Sequence, residues 1–126
     1  MKSLLLIGSL FFFVQSNLQL QDSTSVADST SKSVLATYYH RKFEGHRTTS
    51  GARYRAKKLT AAHRTLPMGT MVTVTNPVNG KSVVVKVNDR GPYSKKLAID
   101  LSESAAKKIG IYRLGIAKVK LSYTVE

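Results

Sequence analysis

The stretch KSVVVKVNDRGPY, Lys81 to Tyr93, alternates with a period of two and then stops. Val83, Val85 and Val87 fall on one face, and Val84, Lys86 and Asn88 fall on the other, as in a strand with one buried side. Gly91 and Pro92 then turn the chain. Asp89 continues the parity of the three valines. If the strand runs that far, its carboxylate points inward at the rim of the sheet and Arg90 points out. Two readings of Asp89 are open at this point. An Asp before a turn commonly hydrogen-bonds local backbone. An inward acid at a strand end is also a sound place for catalysis.

The same period extends along the chain in both directions. MVTVTN (71–76) puts Val72 and Val74 on one face and Thr73 and Thr75 on the other. NPVNG (76–80) follows, with Pro and Asn-Gly as turn signals. In IAKVKLSYTV (116–125), Ala117, Val119, Leu121, Tyr123 and Val125 face inward, while Lys118, Lys120, Ser122 and Thr124 face outward. VLATYYH (34–40) is a candidate first strand. SESAAKKIG (102–110) breaks the pattern: Ser102 suits an N-cap, helix formers follow, two lysines occupy the last turn and Gly110 stops it. A mainly-β domain of short, one-sided strands with one helix favours a closed barrel. No internal repeat is present.

The chain has 126 residues, enough for one domain. MKSLLLIGSLFFFVQS (1–16) has a basic Lys2 and an apolar run from Leu4 to Val14, which reads as a secretory signal; an uncleaved anchor is the other reading. Residues 17–33 are rich in Ser, Thr, Asp and Gln without apolar period, and read as a disordered tether. The folded domain is expected over 34–126. There is no Cys, so neither disulfides nor a lipid-bearing Cys can contribute.

From Thr37 onward, 18 Lys and Arg face five acidic residues, a surplus of 13 that equals the net charge of the whole chain. Such a field attracts polyanions: nucleic acid, peptidoglycan or acidic lipid. A solvated basic surface without a specific partner is the plainer reading.

His63 lies in LTAAHRTLPMG (59–69), between small residues and a turn built by Leu66, Pro67, Met68 and Gly69. A lone His of this kind is more often structural than catalytic. His40, His46 and His63 lack close ligand spacing and Cys partners, so no metal site is expected. RTTSGARY (47–54) offers the hydroxyls of Thr48, Thr49 and Ser50, suited to a polar groove for sugars. Tyr38, Tyr39, Tyr54 and Tyr93 are candidates to stack on sugar rings, with half-buried core the leading reading for Tyr38 or Tyr39. No phosphate loop, Gly-x-Ser-x-Gly elbow or Cys nucleophile occurs.

Together, ATYYHRKFEGHRTTSG, LTAAHRTLPMGTMVTVTN, NGKSVVVKVNDRGPY and AIDLSESAAKKIG resemble the rare lipoprotein A family, over about Leu35 to Leu121. Members are endolytic peptidoglycan transglycosylases, with expansins as more distant relatives. The resemblance implies a six-stranded double-psi β-barrel with one or two short helices. It implies export to the periplasm or cell envelope, and glycan strands of peptidoglycan, preferably peptide-free, as substrate. It implies no cofactor, no nucleic-acid partner, no membrane span after signal removal, and a monomer. Asp89 corresponds to the family's catalytic Asp and His63 to its catalytic His. Thr48, Thr49, Ser50, Asn88, Arg90 and Tyr93 are the implied substrate contacts. Ala52 stands where the family carries a third catalytic residue, a Glu, and a methyl group can neither carry charge nor accept a hydrogen bond. The alternative is therefore a non-catalytic, expansin-like wall-binding barrel.

Asp89 is the candidate general acid and base on this reading, with His63 orienting the sugar or tuning Asp89. A general acid needs a raised pKa, whereas a strongly basic domain with Arg90 adjacent favours the carboxylate. Desolvation at the rim has to win for Asp89 to donate a proton. Otherwise it is left to act as a base or to stabilise positive charge.

Overall fold

The computed structural model describes residues 29–124. The signal-like segment, the tether as far as residue 28, and Val125 lie outside the described residues. Six strands close into a barrel: β1 (Ser29–Tyr38), β2 (Thr60–His63), β3 (Met71–Thr75), β4 (Ser82–Asp89), β5 (Ile99–Leu101) and β6 (Ala117–Thr124), in the order β1-β5-β2-β4-β3-β6. The β1–β5 and β2–β4 pairs are parallel and the other four are antiparallel. One helix, α1 (Glu103–Lys108), and a short 3-10 turn (Arg41–Phe43) complete the domain. No helix among the described residues is long and apolar enough to cross a membrane.

The alternation of β4 is realised as read: Val83, Val85 and Val87 are buried, and Ser82, Val84 and Lys86 are exposed. Val119 and Leu121 of β6 join them, with Val72, Val74, Ile99 and Leu101, in one core. Burying each such side chain contributes about 1.5–3 kcal/mol, which fixes the register, since a one-residue slip turns Val83, Val85 and Val87 to water. Ser102 caps α1 by accepting from the Ala105 amide at 3.3 Å. Ala105 and Ala106 then pack into the barrel end. At the turn after β3, the buried Asn76 side chain donates to the Ile109 carbonyl at 2.8 Å and accepts from the Val78 amide at 3.0 Å.

The first strand starts earlier than composition implies. Ser29 to Ser33, within the expected tether, pair with Thr124 to Lys120 of β6. Ser31, Lys32 and Ser33 are exposed. The pairing of this stretch is carried by backbone hydrogen bonds to the far half of β6, and such bonds require no apolar period.

Candidate active site

Ala62 organises the site. It pairs with Asp89 of β4 on one side and with Asp100 of β5 on the other; the β2–β4 register shifts here, one step in β2 (Ala61 to Ala62) meeting two in β4 (Val87 to Asp89), so Asp89 leaves the valine face on which parity placed it. Both acids therefore flank one small, buried side chain, with their backbones about 10 Å apart by two strand spacings. They line a cleft of about 370 Å³ whose wall includes Tyr39, Phe43, His46 and Tyr54.

The Asp89 carboxylate is saturated with donors. Oδ1 accepts from the Thr49 amide, the Thr49 hydroxyl and the Arg90 amide, each at 2.9 Å. Oδ2 accepts from the Tyr39 hydroxyl at 2.5 Å. Burial pushes the Asp89 pKa up, but the Tyr39 hydroxyl, the Thr49 amide and hydroxyl and the Arg90 amide outweigh it and hold it below its ordinary value. Asp89 is thus held as a carboxylate over the neutral range, the form suited to act as a base or to face positive charge. Tyr39 is the complement: burial and the bond to Asp89 push its pKa up, so the phenol stays a donor. Its ring stacks on buried Tyr54 at 4.3 Å between centroids, which fixes the hydroxyl's direction.

The Thr49 donors are delivered by a tight hairpin closed by an Arg47–Arg53 bridge. Thr48 donates to the Ala52 carbonyl through its amide at 2.8 Å and its hydroxyl at 2.7 Å. Gly51, at φ +92, takes the left-handed turn position. The Ser50 amide donates to the Asn88 carbonyl at 3.1 Å, tying the hairpin to β4. Thr48 is 8% exposed and its hydroxyl is committed within the hairpin, so it supports the loop rather than offering a free sugar contact. Ser50 shares a 3.0 Å hydroxyl contact with Thr48. Exposed Ala52 is part of this hairpin and supplies its carbonyl to it.

Arg90 departs from the expected outward direction. Its guanidinium folds back and donates to the His63 carbonyl at 3.1 Å and the Leu66 carbonyl at 2.6 Å, holding the turn after β2. Parity alone misplaces it because a long side chain can reach carbonyls beyond the sheet edge. Tyr93 sits at the mouth of the cleft, 86% exposed, with its ring face available.

His63 stands apart from the acids. It is opposite Ile99 in the β2–β5 ladder, one residue out of phase with Ala62. Its Nδ1 accepts from the Thr65 amide at 3.2 Å and the Leu66 amide at 3.1 Å, which assigns the proton to Nε2. Burial and the charges of Arg64, Arg90 and Lys32 lower its pKa, so it is neutral at pH 7. No hydrogen bond joins His63 to Asp89 among the described residues; the histidine lining the cleft is His46.

Two site residues escape the sequence reading. Tyr39 reads from the sequence only as core or sugar platform. Asp100 is hidden between two core residues, Ile99 and Leu101. Its Oδ1 is buried without a hydrogen-bond partner. Burial, with the charge of Asp89 in addition, pushes its pKa up to about 6. The available signal is parity: period two turns Asp100 away from Ile99 and Leu101, onto the face that Ala62 and Asp89 share.

A family model described as lytic transglycolase matches residues 31–121. The endolytic peptidoglycan transglycosylase RlpA of Haemophilus influenzae is 50% identical over 99 residues, covering 79% of this chain and 34% of that protein. The protein of the same name from Neisseria meningitidis serogroup A is 48% identical over 90 residues, covering 71% of this chain and 38% of its own. The chain thus spans little more than a third of the length of these relatives. Among solved structures, the Streptomyces papain inhibitor superposes with a TM-score of 0.62 at 23% identity, covering 76% of this chain and 96% of its own. A mutant Clavibacter michiganensis expansin, solved in complex with cellohexaose, gives 0.62 at 20% identity, covering 76% and 51%. At these identities the structural likeness speaks for the barrel alone, while the family model and the close relatives place the sequence: the chain belongs to the RlpA family of double-psi β-barrels.

Proposed function

We propose that this domain is a lytic transglycosylase of peptidoglycan. It cleaves the bond between N-acetylmuramic acid and N-acetylglucosamine within glycan strands and leaves 1,6-anhydro ends. The observation that carries the reading is Asp89: the aspartate of the Asn-Asp-Arg-Gly-Pro motif, held ionised by four hydrogen bonds in a cleft with aromatic walls.

The chemistry suits that arrangement. No water attacks in lytic cleavage. The muramic 6-hydroxyl closes on its own anomeric carbon, so a second carboxylate to activate water is not needed. What is needed is negative charge facing the oxocarbenium-like carbon, and a proton for the departing oxygen. Asp89 meets the first need. Exposed Tyr93 offers a stacking platform at the cleft mouth, and the basic surface draws the anionic wall polymer. The proposed protein acts as an exported monomer in the periplasm or cell envelope, without a cofactor and with peptide-free strands preferred.

A second reading rests on one observation, Ala52. Without the family's Glu on the hairpin, the barrel would bind glycan strands and not cut them. Mass spectrometry of peptide-free strands digested with the purified chain separates the two. Anhydro-ended fragments support the enzyme. Retained binding without fragments supports the binding module, and recovery of cleavage by Ala52→Glu would assign the loss to that position.

A further inference from the structure

The proposed reaction leaves one group of the cleft unused. Asp100 is in the middle of the three-residue strand β5, paired with Thr37 of β1 and with Ala62 of β2. Its carboxyl lines the same cleft as Asp89, and its Oδ1 is sealed from water with no donor to accept from. A buried carboxylate without donors is costly, whereas a buried neutral acid is far less so. The groups facing it complete the picture. Tyr39 and Tyr54 are neutral phenols, Asp89 is a fixed negative charge, and His46, Arg47 and Arg90 line the cleft without bonding to it. The guanidinium of Arg90 is committed to the His63 and Leu66 carbonyls.

We infer that Asp100 is the acid of the site, and that the two aspartates divide the work, Asp89 as permanent anion and Asp100 as proton carrier. The inference rests on the transglycosylase reading above. In the first half, the Asp100 O–H proton passes to the glycosidic oxygen as the bond from that oxygen to the muramic anomeric carbon breaks. The bonding electron pair leaves with the N-acetylglucosamine oxygen, and Asp89 faces the positive charge left behind. In the second half, the muramic 6-hydroxyl bonds to the anomeric carbon and returns its proton to the Asp100 carboxylate. The site ends as it began, with no co-reactant consumed. His63, bound to the turn amides through Nδ1, takes no part in the proton transfer.

Two substrates test this. One is the peptide-free glycan strand. The other is a muramoyl-terminated oligosaccharide with a 4-nitrophenyl leaving group, which departs as phenolate and needs no proton. Asp100→Asn is expected to lose about 10²–10³-fold in kcat/KM on strands and less than about tenfold on the nitrophenyl substrate. Asp89→Asn is expected to lose activity on both. On strands, the unmodified chain should lose activity as pH rises through about 6, where Asp100 ionises. On the nitrophenyl substrate that limb should be absent. Strand binding, measured on the same preparations, should survive in Asp100→Asn. Activity of Asp100→Asn within about threefold of the unmodified chain on strands, or equal loss on both substrates with binding retained, overturns the role of Asp100 and leaves the transglycosylase reading standing. An unmodified chain that cleaves neither substrate overturns both.

Discussion

The two flanks of the cleft present the same functional group in opposite surroundings. At the end of β4, Asp89 receives four hydrogen bonds, three of them from the hairpin at Thr49 and the turn at Arg90. In the middle of β5, the Oδ1 of Asp100 receives none. Both strands pair with the same residue, Ala62, so the difference does not come from depth in the barrel. It comes from what the neighbouring loops supply. A strand end meets turns, with their free amides and hydroxyls. A mid-strand position has its neighbours' amides already spent on the ladder. One flank therefore favours charge and the other opposes it, the separation of paired carboxyls on which acid–base sites depend.

Removing the charged flank should have the largest effect. Asp89→Asn is expected to lower release of anhydro ends by about 10³-fold, because the amide offers no charge to the reacting carbon. Quantifying fragments by mass spectrometry checks it, and loss under about tenfold would mean that the donors around Asp89 serve only the fold. A more graded change to the same flank is Tyr39→Phe, which keeps the stack on Tyr54 and deletes one donor to the charge. Asp89 then ionises less readily, so the acid limb of the pH–rate profile should move up. The loss of cleavage should therefore be larger at pH 4 than at pH 6, by about threefold or more.

The smallest expected effect lies on the other flank and concerns stability. The folded state holds Asp100 protonated up to about pH 6, against an ordinary value of 3.8. Below about pH 4 both folded and unfolded chains carry the proton, and the group is neutral in its effect. Between these limits the unfolded chain ionises first and gains, so stability falls as pH rises; above about pH 6 the penalty is complete. The effect of Asp100→Asn on stability should therefore be about 2 kcal/mol more favourable at pH 7 than at pH 3.5, where no charge penalty is relieved and only the pH-independent cost of the buried amide is left. Urea denaturation at the two pH values measures this.

Much of the barrel was legible because its signal is local. The valines of β4, the apolar face of β6 and the capped helix after Ser102 each declare themselves within ten residues. The parallel pairs were not visible. Thr60 meets Lys86, 26 residues on, and Ala36 meets Ile99, 63 residues on, and no local period encodes such partners. The same limit governs the site. Asp89 is marked by its motif, but the register shift beside Ala62 takes it off the valine face that parity assigns it, and its protonation depends on Tyr39 and Thr49, which lie 50 and 40 residues away. Asp100 is overlooked because the alternation of Ile99, Asp100 and Leu101 is a single repeat, too short to set a strand apart from its surroundings by itself. The start of β1 escapes because backbone pairing leaves no mark on composition. Arg90 reads outward from the sequence since parity describes Cβ atoms and not the reach of a guanidinium.

The division of the two aspartates is open to direct observation. The carboxyl carbons can be followed by carbon-detected NMR across pH 2 to 8, with Asp89→Asn and Asp100→Asn used for assignment. The structure predicts that Asp89 titrates below its ordinary value of 3.8 and that Asp100 titrates at about 6. Two aspartates that titrate together near the ordinary value, or in the reverse order, would contradict the assignment of anion and acid.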